Sequence, residues 1–382
     1  MEKVKKIDVI GGGPVGLLFA LFNASKNLSI SIHERLSKND LTIQNKALAL
    51  SHSTIDVLNK FDIKPNQATG FIPISKIHTS QKGSFGRAIL SLNENTPIGF
   101  VIKYGDLVSV LLEKVCKNSF IELSFSKEIK KVNFSSNNFE DNDGHKNNYD
   151  FIVFSDGIGN LLTDKFTFHT HDDFDNLFGL VAEVDSELNH NNVAYERFTP
   201  DGPMALLPID DYRKSTLIWT GEKKKVDRLL ALGDTEFKYM FLKNFGERLG
   251  SLKLVNHKKI FPLRHQYLNS TALENILVLG NAAHSMHPVA GQGFNLTVRD
   301  LNSFNMILEG NKSLLDDQVL NLYQDARRKE MISLMQITSG LVKGFSNNYF
   351  GINKLRSIGL NLLDNNAFLK KEFISRFSYG KD

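Results

Sequence analysis

Gly11, Gly13 and Gly16 stand in the spacing G-x-G-x-x-G between an apolar run, Ile7 to Ile10, and a segment from Pro14 to Ser25 with a helical period in Leu17, Leu18, Leu21 and Phe22. A second apolar run, Leu28 to His33, ends at Glu34. Glycine permits the tight turn, and without a Cβ it lets the backbone come close to a bound group. A helix starting straight after a strand leaves its first amides to an anion, and an acid closing the next strand can accept from ribose hydroxyls. This order of elements fits an adenine dinucleotide held by Gly11, Gly13, Pro14, Gly16 and Glu34, and it leaves FAD and NAD undivided.

At 382 residues and 41% hydrophobic content the chain can build a large core, and its length predicts two packed units. Cys116 is the sole cysteine, so no intrachain disulfide forms and a reducing cytosol is expected. The start, MEKVKKIDVIGGG, puts basic residues before an apolar run that soon breaks into glycines, which predicts a buried first strand rather than a secretion signal. No uninterrupted apolar stretch of about 18 residues occurs, which argues against a membrane-crossing helix. A net charge of +4 from 46 basic and 42 acidic side chains is too mild and too evenly spread for a nucleic-acid partner.

Further elements follow from periodicity. A helix is predicted over Asp106 to Lys117, strands over Phe120 to Ser126 and Lys131 to Ser135, and a tight turn through Asn142, Asp143 and Gly144. From Leu177 to Phe261 the pattern is β-rich, with a helix near Thr235 to Leu249; an apolar strand follows at Asn275 to Leu279, and from Gly293 the chain is helix-rich. The expected fold is an α/β unit of Rossmann type, built from residues 1–70, 101–176 and 266–310. It is interrupted by a β-sheet-rich unit from 71–100 and 177–265, and residues 311–382 form a C-terminal helical region.

His284 and His287 could supply two metal ligands if they stood on a helix, but Pro288 opposes a helix there. No cysteine or suitably spaced carboxylate completes a shell, so no metal is expected. Trp219 and the many phenylalanines read as core. The segment PMALLP, Pro203 to Pro208, carries no charge, and Pro203, Met204, Leu206 and Pro208 are candidates to line an apolar substrate pocket. In the tail from Gly351 to Phe377, Leu355, Ile358, Leu362 and Leu363 stand among Lys354 and Arg356; ordinary packing is the expectation, with a membrane surface or partner protein as the alternative.

Two downstream segments separate FAD from NAD by resemblance. FIVFSDG, Phe151 to Gly157, and ILVLGNAAHSMHPVAGQG, Ile276 to Gly293, together with the N-terminal glycines resemble three successive motifs of the single-component aromatic hydroxylases that carry FAD. HPVAGQGFNLTVRD, His287 to Asp300, and YERFTPDGPMALLPIDD, Tyr195 to Asp211, are similar to the ubiquinone-biosynthesis hydroxylases, nearest the branch acting on 2-polyprenyl-6-methoxyphenol.

The resemblance implies FAD bound by the N-terminal residues above and by Lys46, Asp156, Gly157, Gly280, Asn281, Gly291, Gly293 and Asn295. His287, Pro288, Gly291 and Gln292 would stand at the reacting flavin. Uncovered amides at Gly291 to Gly293 would favour the anionic reduced ring. The implied reaction is hydroxylation of a prenylated phenol by a flavin hydroperoxide, with O2 and NADPH or NADH as co-substrates and the nicotinamide visiting a surface site. The implied location is cytoplasmic, with a peripheral place on the inner face of the membrane or in a ubiquinone-biosynthesis complex. Four positions depart from the family pattern: Asn281 replaces an aspartate, Lys46 an arginine, Asn160 a serine and Thr297 a glycine. The rival readings are a flavoprotein oxidase or dehydrogenase and a non-catalytic prenyl-binding flavin-fold protein.

Overall fold

Strand Lys5–Ile10 lies inside a six-stranded sheet of order Ala272–Leu273, Ile276–Val278, Phe151–Phe154, Lys5–Ile10, Leu28–His33, Ile121–Ser124. The structure is a computed structural model that describes residues 5–26, 28–66, 69–93, 96–157, 159–170, 176–209, 212–287, 291–311, 317–346 and 352–380. Neighbouring strands run parallel except for Ala272–Leu273, which returns antiparallel to Ile276–Val278. A parallel sheet covered on both faces needs apolar side chains on both, and all of Phe151–Phe154 is buried. Buried Asp8 is a charged exception; its Oδ1 holds His33 Nε2 at 2.8 Å. Because the strands are parallel, Gly11, Asp156 and Gly280 all follow strand ends on one edge of the sheet.

The first helix, Pro14–Asn23, is pressed onto this edge. A Cβ on Gly16 would lie 2.0 Å from the Gly11 carbonyl oxygen and 2.7 Å from Ser155 Oγ, so only glycine permits the approach. Leu17, Leu18 and Phe19 are fully buried beneath the helix and join a core that includes Leu107, Leu111, Val298 and Phe304.

A second sheet has seven strands in the order Leu252–Pro262, Leu177–Ser186, Lys214–Glu222, Met204–Pro208, Val193–Phe198, Lys76–Gln81, Arg87–Leu90. All pairs are antiparallel except Val193–Phe198 with Lys76–Gln81. Its outer face packs under helices Lys223–Ala231 and Asp234–Phe245, where Trp219 meets Phe237 at 6.4 Å between ring centroids. Trp219 is therefore core. The helix at Lys223–Ala231 is not signalled by the β-rich patterning; three leading lysines leave Val226 and Leu229 as its buried anchors. The helix predicted to reach Leu249 stops at Phe245, because Gly246 takes φ +89° and the chain re-enters as a short 3-10 turn.

Helix Tyr104–Val115 begins slightly before its predicted start, and the turn at Asn142 to Gly144 joins strands Asn138–Asp141 and Lys146–Asn148. The C-terminal part is helical: Gln292–Asn311, Asp317–Ser346, Ile352–Asn365 and Ala367–Tyr379. In the tail Leu360 and Ile374 are buried and Leu363 packs partly against a core cluster, whereas Ile358 and Leu362 are exposed; the side chain of Leu355 lies outside the described residues.

Gly16→Ala is expected to lower unfolding stability by about 3 kcal/mol or more in urea titration, because the clash is with backbone that cannot rotate away. Gly340→Ala, on an exposed helix position with nothing within 4 Å of the added carbon, should instead stabilise by about 0.5–1 kcal/mol.

Candidate active site

The carboxyl edge of the six-stranded sheet faces the inner side of the seven-stranded sheet across a cavity of about 360 Å³. Its lining on the first side comes from three strand ends and two helix starts: Gly13, Pro14 and Val15; Asp156 and Gly157; Gly280 and Asn281; Gly291, Gly293 and Phe294. Gly13 caps the first helix with no side-chain hydrogen bond, and no acid stands in that helix's first turn, so its leading amides are open to an anion. Gly291, at φ +60°, opens the Gln292–Asn311 helix beside the same space. Its own cradle is tight, since a Cβ there would meet the Ala49 Cβ at 3.0 Å.

Glu34 closes its strand next to the glycine turn. Its buried carboxylate accepts from Gly12 N at 2.6 Å and Leu36 N at 2.8 Å, leaving each oxygen a further lone pair for a hydroxyl donor. Tyr104 lines the cavity, and its hydroxyl would lie 2.5 Å from a Cβ on Gly13; burial, then the nearby Glu34 charge, raises its pKa. Lys46 opens into the cavity, and protein around the ammonium lowers its pKa by desolvation. Asn281 is exposed within the cavity, beside Gly157.

The opposite wall is the sheet's inner face. Val181, Ile218, Ala205 and Glu196 form one row by cross-strand register, with Leu207 and Thr216 paired beside it and Ala194 paired with Ile77. The strand Met204–Pro208 therefore presents Ala205 and Leu207 to the cavity. Met204 and Leu206, expected at the pocket, point to the helix-covered core instead, and Pro203 and Pro208 are not among the lining residues. The reason is the two-residue period of a strand, which gives alternate side chains to opposite faces.

Other expected site residues separate in the same way. Gly11 and Gly16 shape the turn from behind the lining. Asn295 does not line the cavity; its amide is engaged in structure, donating to Ala49 O and Gly291 O and accepting from Ser51 N and Thr54 Oγ1. His287 and Gln292 are buried outside the lining, and Pro288 lies outside the described residues. Met286 and Ser285 line the cavity in their place. Neither Tyr104 nor Arg264 was marked by a motif; each enters the site from an element remote in sequence.

Behind the strand His284–Ser285 lies a buried polar cluster. His284 Nε2 meets Asp300 Oδ2 at 2.7 Å, Arg327 Nε meets Asp300 Oδ1 at 2.7 Å, and Arg299 Nε meets Glu330 Oε1 at 2.7 Å. Burial alone would raise the Asp300 pKa, but Arg327 and His284 outweigh it and hold the carboxyl below its ordinary range. His284 is thus held by a carboxylate through Nε2.

His287 is pushed down to about 3, first by burial and then by His265. Its folded pKa lies below the ordinary 6.5, so the unfolded chain binds the extra proton between these values. Its contribution is complete above pH 6.5 and is lost as pH falls toward 3. His287→Gln should therefore flatten the acid limb of the stability–pH curve by up to about 1.4 kcal/mol per pH unit, read by urea unfolding of both proteins.

Comparison with known proteins agrees with this architecture. The family model described as FAD binding domain matches residues 4–337. Ubiquinone hydroxylase UbiL of Rhodospirillum rubrum is 33% identical over 199 residues, covering 51% of this chain and 46% of that protein, so the match spans about half the length of that relative. The mitochondrial ubiquinone biosynthesis monooxygenase COQ6 of Dictyostelium discoideum is 24% identical over 452 residues, covering 98% of this chain and 91% of that protein. In fold, the crystal structure of p-nitrophenol 4-monooxygenase PnpA from Pseudomonas putida DLL-E4 superposes with a TM-score of 0.81 over 100% of both chains at 14% identity. With the family model spanning most of its length, the chain belongs to the FAD binding domain family.

Proposed function

We propose that the protein is an aromatic-ring hydroxylase that uses FAD, NADPH or NADH, and O2 to hydroxylate a prenylated phenol of ubiquinone biosynthesis. The observation that carries this reading is one cavity joining two helix starts to an apolar sheet face. The glycine turn and Glu34 would hold the adenosine and pyrophosphate of FAD; Asp156, Gly157, Gly280 and Asn281 its middle; and Gly291 to Gly293 its reacting ring, with Lys46 near the phosphates. On this division residues 1–70, 101–176 and 266–310 carry the cofactor, and 71–100 with 177–265 shape the substrate side.

When bound, FAD would supply the activation of O2, with the nicotinamide as the source of the electrons. One oxygen atom enters the ring and the other leaves as water, so each turnover consumes one NAD(P)H, one O2 and one proton. The chain's own residues do the remaining work. Val181, Ala205, Leu207 and Ile218 exclude water and take the apolar body of the substrate, while Thr216 and Glu196 offer polar atoms to a phenol hydroxyl. A benzoate-like acid would need a cation against it, since burying an unpaired anion costs several kcal/mol or more; the lining holds Lys46 and Arg264, but none stands in the row of Val181, Ile218, Ala205 and Glu196. No helix among the described residues is long and apolar enough to cross a membrane. Exposed Ile358 and Leu362, four positions apart on one helix, support peripheral uptake of the substrate from a membrane.

Asn281→Asp should slow FAD dissociation: the side chain is exposed within the cavity, so the added charge costs little desolvation, and charge-assisted bonds are roughly twice as strong as neutral ones. Faster flavin release from the variant, followed by fluorescence, would count against it. The substrate assignment rests on NADPH-dependent hydroxylation in detergent, comparing a prenylated methoxyphenol with a small aromatic acid. Coupled turnover is expected for the phenol, falling at least about tenfold in Leu207→Arg with FAD content unchanged. Coupled turnover of the acid alone by the parent protein would falsify the substrate class and leave the flavin assignment standing.

A further inference from the structure

At the edge of the seven-stranded sheet, away from the cavity, five cationic or titratable side chains gather on the helix-covered face. Register places Arg87 beside Ser80 and Ser80 beside Arg197, and His78 opposite Tyr195 in the same strands. Arg248 and Lys82 join them from the turn after helix Asp234–Phe245 and from the hairpin after Lys76–Gln81. Neutral atoms fix the group. Arg197 donates through Nε to Asn244 O at 2.9 Å and through Nη1 to Ser80 Oγ at 3.1 Å. Lys82 Nζ donates to Asn244 Oδ1 at 2.7 Å, and Arg248 Nη1 to Phe245 O at 3.1 Å. Asn244, which anchors two of these cations, is fully buried.

Among the described residues no carboxylate forms an ion pair with Arg87, Arg197, Arg248, Lys82 or His78. Asp364 feels Arg87, but it already accepts from Ile89 N and Lys370 Nζ at 2.9 Å each. The like charges act on one another: burial and then Arg248 push the half-buried Arg197 down to about 10, and His78 is lowered by burial, Arg248, Arg87 and Arg197. Holding several guanidiniums together without an acid is unfavourable unless an anion joins them, and their fork geometry matches tetrahedral oxyanions. Arg87 and Arg248 are exposed and give access.

We propose that Arg87, Arg197, Arg248 and Lys82 form a binding site for a phosphate-type oxyanion. Its source is either a soluble phosphate ester, such as the ribose 2′-phosphate of NADPH, or a phospholipid headgroup. The site does not depend on the reading of the cavity.

The test uses the intact FAD-loaded protein and the variant Arg87→Gln/Arg248→Gln, whose exposed positions leave Arg197 and its buried anchor in place. Calorimetry with inorganic phosphate should show salt-sensitive binding that weakens at least about tenfold in the variant, with flavin content unchanged. Inhibition of that binding by 2′,5′-ADP assigns the soluble ester. Co-sedimentation with phosphatidylglycerol vesicles but not phosphatidylcholine vesicles, lost in the variant, assigns the headgroup. Equal affinity of parent and variant for all three probes, or no binding by the parent, overturns the site.

Discussion

The contact between the first helix and the end of the first strand is the constraint on which the rest of the site depends. With a hydrogen in place of a side chain, Gly16 lets Pro14–Asn23 settle against the Gly11 carbonyl and Ser155. Ser155 Oγ in turn donates to Ile10 O and Gly11 O, tying the end of Phe151–Phe154 to the same turn. The helix is thereby aimed so that its uncovered amides open beside the carboxyl ends of three parallel strands. Shifting it outward by the width of a methyl group would carry the positive end of its dipole away from the cavity.

The second helix start is held by a different device. Asn295 spends both sides of its amide on Ala49, Ser51, Thr54 and Gly291, joining segments 244 residues apart in the chain. Hydrogen bonds to four partners determine where Gly291 lies, and hence how far the two helix starts stand from each other. An amide suits this post because it donates and accepts at once, which a carboxylate in the same place could not.

Farther back, the hydrogen-bonded and ion-paired side chains of His284, Asp300, Arg327, Arg299 and Glu330 tie the short strand His284–Ser285 to the C-terminal helices. Such a cluster adds little net stability over an apolar filling, because desolvation offsets most of the attraction. Its effect is geometric: removing one member leaves a buried charge unpaired at a cost of about 3–5 kcal/mol, so alternative packings of these segments are disfavoured. The apolar wall across the cavity has the opposite character. It is held by sheet register and tolerates bulk changes more readily than changes of charge.

Local sequence determined the elements and the chemistry of the turns. The G-x-G-x-x-G spacing, the continuous apolar runs of the parallel strands and the later glycine clusters were legible because glycine conformations, strand burial and helix starts are set by neighbours a few residues away. Tertiary structure decided which of those residues face the cavity. PMALLP reads as apolar on both faces, so only pairing with Lys214–Glu222 and the cover of two helices could send Met204 and Leu206 inward to the core and leave Ala205 and Leu207 for the pocket. Asn295 and His287 stand in glycine-rich signatures yet are buried outside the lining, and Tyr104 and Arg264 reach the cavity without any motif. Their roles depend on contacts between segments far apart in the chain, and a linear pattern encodes distance along the backbone rather than across a cavity.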